Sequence, residues 1–236
     1  MKVAVVNFSG NVGKTTVAAH LLKPRMGDAP IFSVESVNQD ASTQGIEVEQ
    51  MRGKAFGVLV EELMDRDRAI VDVGASNVEE FLKLMQRYDG SHEEFDYFVV
   101  PVVRERKQQA DTVATLRALA ALGVPALKIR LVMNKFDPDD SLQDEFAAFF
   151  ALEKLEHGFT LRESAVIHEN EVFELLKQAG MSLGQVTNDP VNHRARLRDL
   201  PPGDEREQCL RLIALQRLAV TANRNLDQVY DALFEG

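Results

Sequence analysis

Short runs of apolar, often β-branched residues alternate along this chain with stretches whose apolar positions recur at helical spacing. The strand-like runs lie at 3–6, 30–34, 69–73, 97–103, 127–133 and 160–167. Helical patterns cover 14–22, 56–64, 77–87, 108–122, 142–155 and 172–179. Residues 38–50 read as a polar stretch. Residues 187–204, with Asp189-Pro190 and Pro201-Pro202-Gly203, read as a loop. A last helix is expected from about 205 to 234, with Leu210, Ile213, Leu215, Leu218 and Val220 on its apolar side.

Unbroken apolar strands between amphipathic helices predict a mostly parallel sheet covered on both faces. Right-handed crossovers then gather the strand C-termini at one edge, where ligands bind. The expected fold is therefore α/β and doubly wound, with a C-terminal helical extension. Residues 1–183 form the expected α/β unit, and 184–236 a loop and helix packed on the same domain.

Length and composition suit that reading: 236 residues, 45% of them apolar. No apolar run is long enough to cross a bilayer. The opening Met1–Val6 resembles the start of a signal peptide, but it breaks at Asn7 and Ser9 with no cleavage site behind it, so a buried first strand is expected. A single cysteine, Cys209, rules out an internal disulfide and suits a reducing, cytoplasmic setting. Its place in a helical apolar pattern suggests a packed thiol. The net charge of -10 argues against nucleic-acid binding across the whole surface, leaving room only for a local basic patch.

Between the first strand and the first helix stands Phe8-Ser9-Gly10-Asn11-Val12-Gly13-Lys14-Thr15-Thr16. That junction is where a phosphate loop belongs. Gly10 and Gly13 would let the backbone turn tightly and aim N–H groups inward. The helix N-terminus adds partial positive charge. Lys14 would neutralise the β- and γ-phosphates, and Thr15 would place a hydroxyl on Mg²⁺. Phe8 stands where the standard pattern asks for glycine.

The segment Ser9–Thr16 resembles the deviant phosphate loop of the ParA/MinD class of P-loop ATPases (SIMIBI class), and within it the StbB-like plasmid stability proteins. Two positions depart from the family pattern. Ser9 replaces the signature lysine, which in the family reaches a partner's phosphates across a nucleotide-sandwich dimer, and Asn11 replaces the second glycine. The resemblance covers most of 1–183 by element order. It implies ATP and Mg²⁺ as cofactors, a nucleotide-dependent homodimer, and an adaptor protein or DNA as partner.

Other corners follow from the same alignment. Ala69-Ile70-Val71-Asp72 is an apolar strand ending in a carboxylate, and Asp72 is expected to hold Mg²⁺ through water. Gly74 would let the backbone approach a γ-phosphate. Glu35 ends the second strand, and Glu35 and Asp40 are candidates for contacting the metal or orienting water; Val37 stands where the family carries a hydrolytic Asp. Asn134-Lys135-Phe136-Asp137 has two readings. As a guanine motif, Asp137 would bind the base edge and Lys135 would pack along the ring; as in the ParA/MinD class, Asn134 would hydrogen-bond adenine. His168 is a candidate wall for the base.

Basic residues at Arg104, Arg106 and Lys107, and the cluster His193–Arg198, are candidates for partner or DNA contact. Rival functions stay open. They are a GTPase of the signal-recognition or metallochaperone type, a ligase on the same scaffold, and a nucleotide-gated binding module without hydrolysis. One cysteine disfavours a metallochaperone. A tyrosine kinase would want a C-terminal tyrosine cluster, where only Tyr230 stands.

Overall fold

The computed structural model describes residues 1–34, 48–51 (backbone only) and 56–235. Glu35, Val37 and Asp40 lie outside the described residues. Among the described residues seven strands form one parallel sheet: β1 (Lys2–Val5), β2 (Ile31–Val34), β3 (Val48–Met51), β4 (Ala69–Val73), β5 (Tyr97–Val102), β6 (Ile129–Phe136) and β7 (Val166–His168). Their order across the sheet is β3-β2-β4-β1-β5-β6-β7. β3 lies at the edge, within what the sequence presents as a polar stretch. Its sequence, Val48-Glu49-Gln50-Met51, neither alternates nor forms an unbroken apolar run, and so short an edge strand has too few apolar residues to announce itself. The sixth expected run shrinks to β7, with Thr160 touching Arg130 as an isolated bridge.

Strand alternation divides the core into two layers. Ala4 and Val6 join Phe32, Phe81, Phe98, Leu116 and Phe149 on one face. That layer is roofed by α2 (Phe56–Asp65), α3 (Val78–Arg87), α4 (Arg106–Ala121) and α6 (Ala147–Glu156), which follows the short α5 (Leu142–Glu145). Val3, Val5 and Ile70 join Leu21, Leu176, Leu226 and Val229 on the other face. The second layer is covered by the first helix, by α7 (Val172–Ala179) and by α10 (Asp204–Phe234), the long C-terminal helix. Within β4, Ala69, Val71 and Val73 point to the first layer and Ile70 to the second, so period two sends Asp72 toward the first helix.

That first helix is not regular. It opens as α1 (Lys14–Thr16) and continues as a π-helix over Val17–Leu22, closed by the Lys23 N–H donating to the Ala18 carbonyl five residues back. π segments concentrate at functional sites because they re-aim side chains within a packed helix.

Two expectations at the C-terminus are corrected. Residues 187–204 are not all loop: α8 (Leu183–Thr187) ends there, and His193–Asp199 form α9, capped by the Asn192 side chain accepting from the Ala195 N–H. The apolar side of α10 is also different. Cys209, Leu215, Ala219, Ala222, Leu226, Val229 and Leu233 are buried, whereas Leu210 and Val220 are exposed. Two candidate stripes lie side by side on this helix, and only docking onto the sheet selects between them.

Asn225 explains part of the selection. Its Nδ2 donates to the Val166 carbonyl (2.9 Å) and its Oδ1 accepts from the His168 N–H (3.0 Å), so one side chain satisfies the free edge of β7. Arg25 donates to Asp227 (2.7 Å) and to the Asn223 carbonyl (3.0 Å), anchoring the same helix to the 3-10 turn Lys23–Arg25 that ends the first helix. Leu226 is fully buried between these contacts. Leu226→Ala should therefore cost about 2–5 kcal/mol in urea denaturation, and Leu210→Ala less than about 1 kcal/mol.

Candidate functional site

The C-terminal ends of β1, β4 and β6 meet at the edge where the sheet's connection direction switches, the place α/β sheets present to ligands. β1 leads directly into the expected phosphate loop. Val5 lies beside Asp72 in register, so the loop and the carboxylate emerge side by side.

The loop's backbone differs in detail from expectation. Gly13 takes a left-handed conformation (φ 87°), and a Cβ there would run into the Asn134 side-chain amide, so glycine is required twice over. Gly10 has no positive φ and open space where a Cβ would sit. Asn11 makes the second left-handed turn instead (φ 60°). Asparagine is among the few side-chain-bearing residues that tolerate it.

Buried polar side chains brace the loop on both flanks. Asn7 Nδ2 donates to the Pro101 carbonyl (2.8 Å) and to Thr112 Oγ1 (2.7 Å), while Asn7 Oδ1 accepts from the Ser9 N–H (2.8 Å). Thr115 Oγ1 accepts from the Phe8 N–H (3.0 Å). Across the loop, Asn134 Nδ2 donates to the Val12 carbonyl (2.8 Å) and Asn134 Oδ1 accepts from the Lys135 N–H (2.9 Å). Lys135, itself left-handed (φ 55°), donates from Nζ to the Asn11 carbonyl (3.1 Å). Fully satisfied buried networks of this kind hold a single geometry. Sequence reasoning singled out Asn134 and Lys135 but missed Asn7, Thr112 and Thr115. Two threonines three apart on a helix, beneath an asparagine ending a strand, were the available signal.

Lys14 is buried, and its ammonium donates to the carbonyls of Ser9 (2.7 Å) and Asn7 (3.2 Å). Thr15 Oγ1 donates to Asp72 Oδ2 (2.8 Å). Asp72 Oδ1 is buried with no hydrogen-bond partner. Burial pushes the Asp72 carboxyl above the usual carboxylate range, while the Thr15 bond and the nearby Lys14 charge pull it down. An orphaned carboxylate oxygen beside a hydroxyl is a hard oxygen donor set that suits Mg²⁺. Gly74 donates its N–H to the Val34 carbonyl (3.0 Å), placing the turn after β4 against the end of β2.

Beside the loop lies a pocket of about 330 Å³. Thr16, Asn134, Lys135 and His168 all line it, so four of the expected residues converge there. Glu169, Asn170, Phe173 and Lys177 complete the wall, and His20 of the π-helical turn stacks on Phe173 with ring centroids 5.4 Å apart. Asp137 does not line this pocket. Its Oδ1 accepts from the Asp139 N–H (3.0 Å) in a local turn, and the N-cap of the next helix is Ser141. Glu35 and Asp40 fall outside the described residues.

No protein-family model matches the chain, and no curated protein matches it in sequence. Solved structures do share its fold. The cell-division ATPase MinD of Pyrococcus furiosus superposes with a TM-score of 0.55 at 14% identity, covering 92% of this chain and 98% of that one. An ATP complex of a Cyanothece McdA variant gives 0.53 at 15% identity, covering 96% of each chain. The MinC:MinD cell-division complex of Aquifex aeolicus gives 0.55 at 11% identity, covering 86% of this chain and 98% of that one. At these identities the likeness establishes a common fold, the doubly wound parallel α/β architecture expected from the sequence.

The raised pKa of Asp72 has a signed consequence. The folded state binds its proton more tightly than the unfolded chain does. Stability of the metal-free protein should therefore fall as pH rises from the ordinary carboxylate value through the folded one. Asp72→Asn should raise the metal-free melting temperature at neutral pH by a few degrees and flatten that slope. It should also abolish any further stabilisation by Mg²⁺ with nucleotide. Calorimetric melts across pH, with and without Mg²⁺, check all three.

Proposed function

We propose that the chain is a Mg²⁺-dependent P-loop ATPase of the plasmid partition and stability kind, working as a nucleotide-switched dimer with an adaptor protein or DNA. The observation carrying this reading is the convergence of Lys14, Thr15 and Asp72 at the ends of β1 and β4. The shared fold with MinD and McdA supports ATP as the nucleotide, and the MinC:MinD complex supports a protein adaptor.

The chain's own residues divide the work. The amides around Asn11–Lys14 cradle the phosphates, held in place by Asn7 and Asn134. Lys14 leaves the Ser9 and Asn7 carbonyls to meet the β- and γ-phosphates, exchanging neutral acceptors for anionic ones. Thr15 and Asp72 would hold Mg²⁺, which would supply positive charge against the charge developing on the phosphates. The base enters the pocket between Thr16, Lys135, His168 and Phe173. The Gly74 N–H bond to the Val34 carbonyl ties the turn after β4 to the end of β2, a route by which nucleotide state would reach Glu35 and Asp40, which would orient water.

GTP is the second reading, and one observation favours it. Asn134 and Lys135 both grip the loop's backbone, leaving the Lys135 stem along the pocket mouth where a guanine ring would lie. Asp137, turned into its own loop, weighs against it. Isothermal titration calorimetry in Mg²⁺ should show ATP binding more tightly than GTP. Lys14→Ala should weaken ATP binding about 100-fold or more, or about 3 kcal/mol, with unchanged circular dichroism. Retained tight binding of both nucleotides by that variant would remove the phosphate-loop assignment. Tighter GTP binding, moved toward xanthosine triphosphate by Asp137→Asn, would replace adenine with guanine.

A further inference from the structure

The apolar stripe that α10 does not bury has a second use. Leu210, Ile213 and Val220 recur with Arg217 at spacings of three, four and three, so they share one helix face. The face lies outside the sheet-packing stripe of Leu215, Ala219, Ala222 and Leu226. Leu210 is 48% exposed and Val220 41%, among the most exposed large aliphatics of the chain, and Val191 across from them is 45% exposed.

Together with residues 189–194, which lead into α9, this face encloses a groove of about 580 Å³. Its floor is Val191, Ile213 and Val220, and its rim carries Arg194 and Arg217. The one carboxylate in the groove is already engaged. Asp189 Oδ2 meets His193 Nε2 at 2.7 Å, and Asp189 Oδ1 accepts from the Val191 N–H at 2.9 Å. Among the described residues neither Arg194 nor Arg217 has an acidic partner, in contrast to Arg196, which pairs with Glu205. An apolar floor between two uncompensated cations, on a chain of net charge -10, is a local reversal of the surface.

We propose that this groove docks an acidic amphipathic helix of a partner protein. Apolar side chains on one face of that helix seat on Val191, Ile213 and Val220, while its flanking Asp or Glu residues meet Arg194 and Arg217. A second copy of this chain presenting the same face would set arginine against arginine. Nucleic acid would bring phosphates to the arginines and leave the apolar floor uncovered. The groove gives the adaptor of the preceding reading a place and a chemistry. It requires no nucleotide step, so the two readings fail separately.

Selection from a displayed library of amphipathic helices about 20 residues long tests it, with the full chain as bait and Val220→Asp as counter-bait. Enriched peptides should carry Leu, Ile, Phe or Met at helical spacing, flanked by Asp or Glu. Synthetic copies should bind about tenfold more weakly to Val220→Asp and to Arg217→Glu, and more weakly still as salt rises. Both variants should keep the wild-type melting temperature and ATP affinity, because neither residue lies near the phosphate loop. Enrichment of basic or uncharged helices, no enrichment, or binding indifferent to both substitutions would overturn the proposal. So would duplex DNA binding that depends on Arg194 and Arg217 but not on Val220. Peptide binding that survives Lys14→Ala, alongside lost nucleotide binding, would separate the groove from the nucleotide reading.

Discussion

A carboxylate cannot stay charged inside a protein unless something nearby compensates it, and Asp72 organises this molecule around that constraint. Its Oδ2 is met by the Thr15 hydroxyl and its charge by Lys14, while Oδ1 has no hydrogen-bond partner. The compensation comes from one loop, so the loop's position is tied to β4 as well as to β1. A buried group left half-satisfied is costly in the metal-free chain. The same group is matched to a divalent cation, which would turn the cost into binding free energy.

The loop would be of little use if its backbone wandered. Asn7 holds its start against β5 and α4, and Asn134 holds its middle against β6. Both asparagines use donor and acceptor together, so each brace fixes a direction as well as a distance. The left-handed turns at Asn11 and Gly13 follow from this pinning. Farther out, Asn225 of α10 caps the edge of β7 and so bears on where His168 lines the pocket beside the loop. The C-terminal helix thereby bears on that pocket through an edge strand, while Leu210 and Val220 on its outer face stay exposed.

Strands buried on both faces were legible because their apolar runs are unbroken, and helices such as α3 and α7 because their periodicity is strong. β3 escaped because an edge strand carries half the apolar demand, and α9 because its caps lie among turn-forming residues. In α10 the residues offered two apolar stripes of similar strength. Alanines at 219 and 222 allow close approach to the sheet where bulkier Val220 would not, and Leu226, Val229 and Leu233 carry that stripe on to the helix end, so burial went there.

Local chemistry along the chain was enough to determine the strand–loop–helix junction, the gathering of Lys14, Thr15 and Asp72 around it, and the parallel sheet that carries them. Each rests on short-range rules: alternation, glycine at a turn, a carboxylate at a strand end. What only the tertiary structure decided was pairing across distance. Asn7 with Thr112, Asn134 with Val12, and Asn225 with β7 join residues far apart in sequence, and no periodicity records such partners. The structure also moved the tight turn from Gly10 to Asn11, because strain is set by what the loop is fastened to and not by which residue is most permissive.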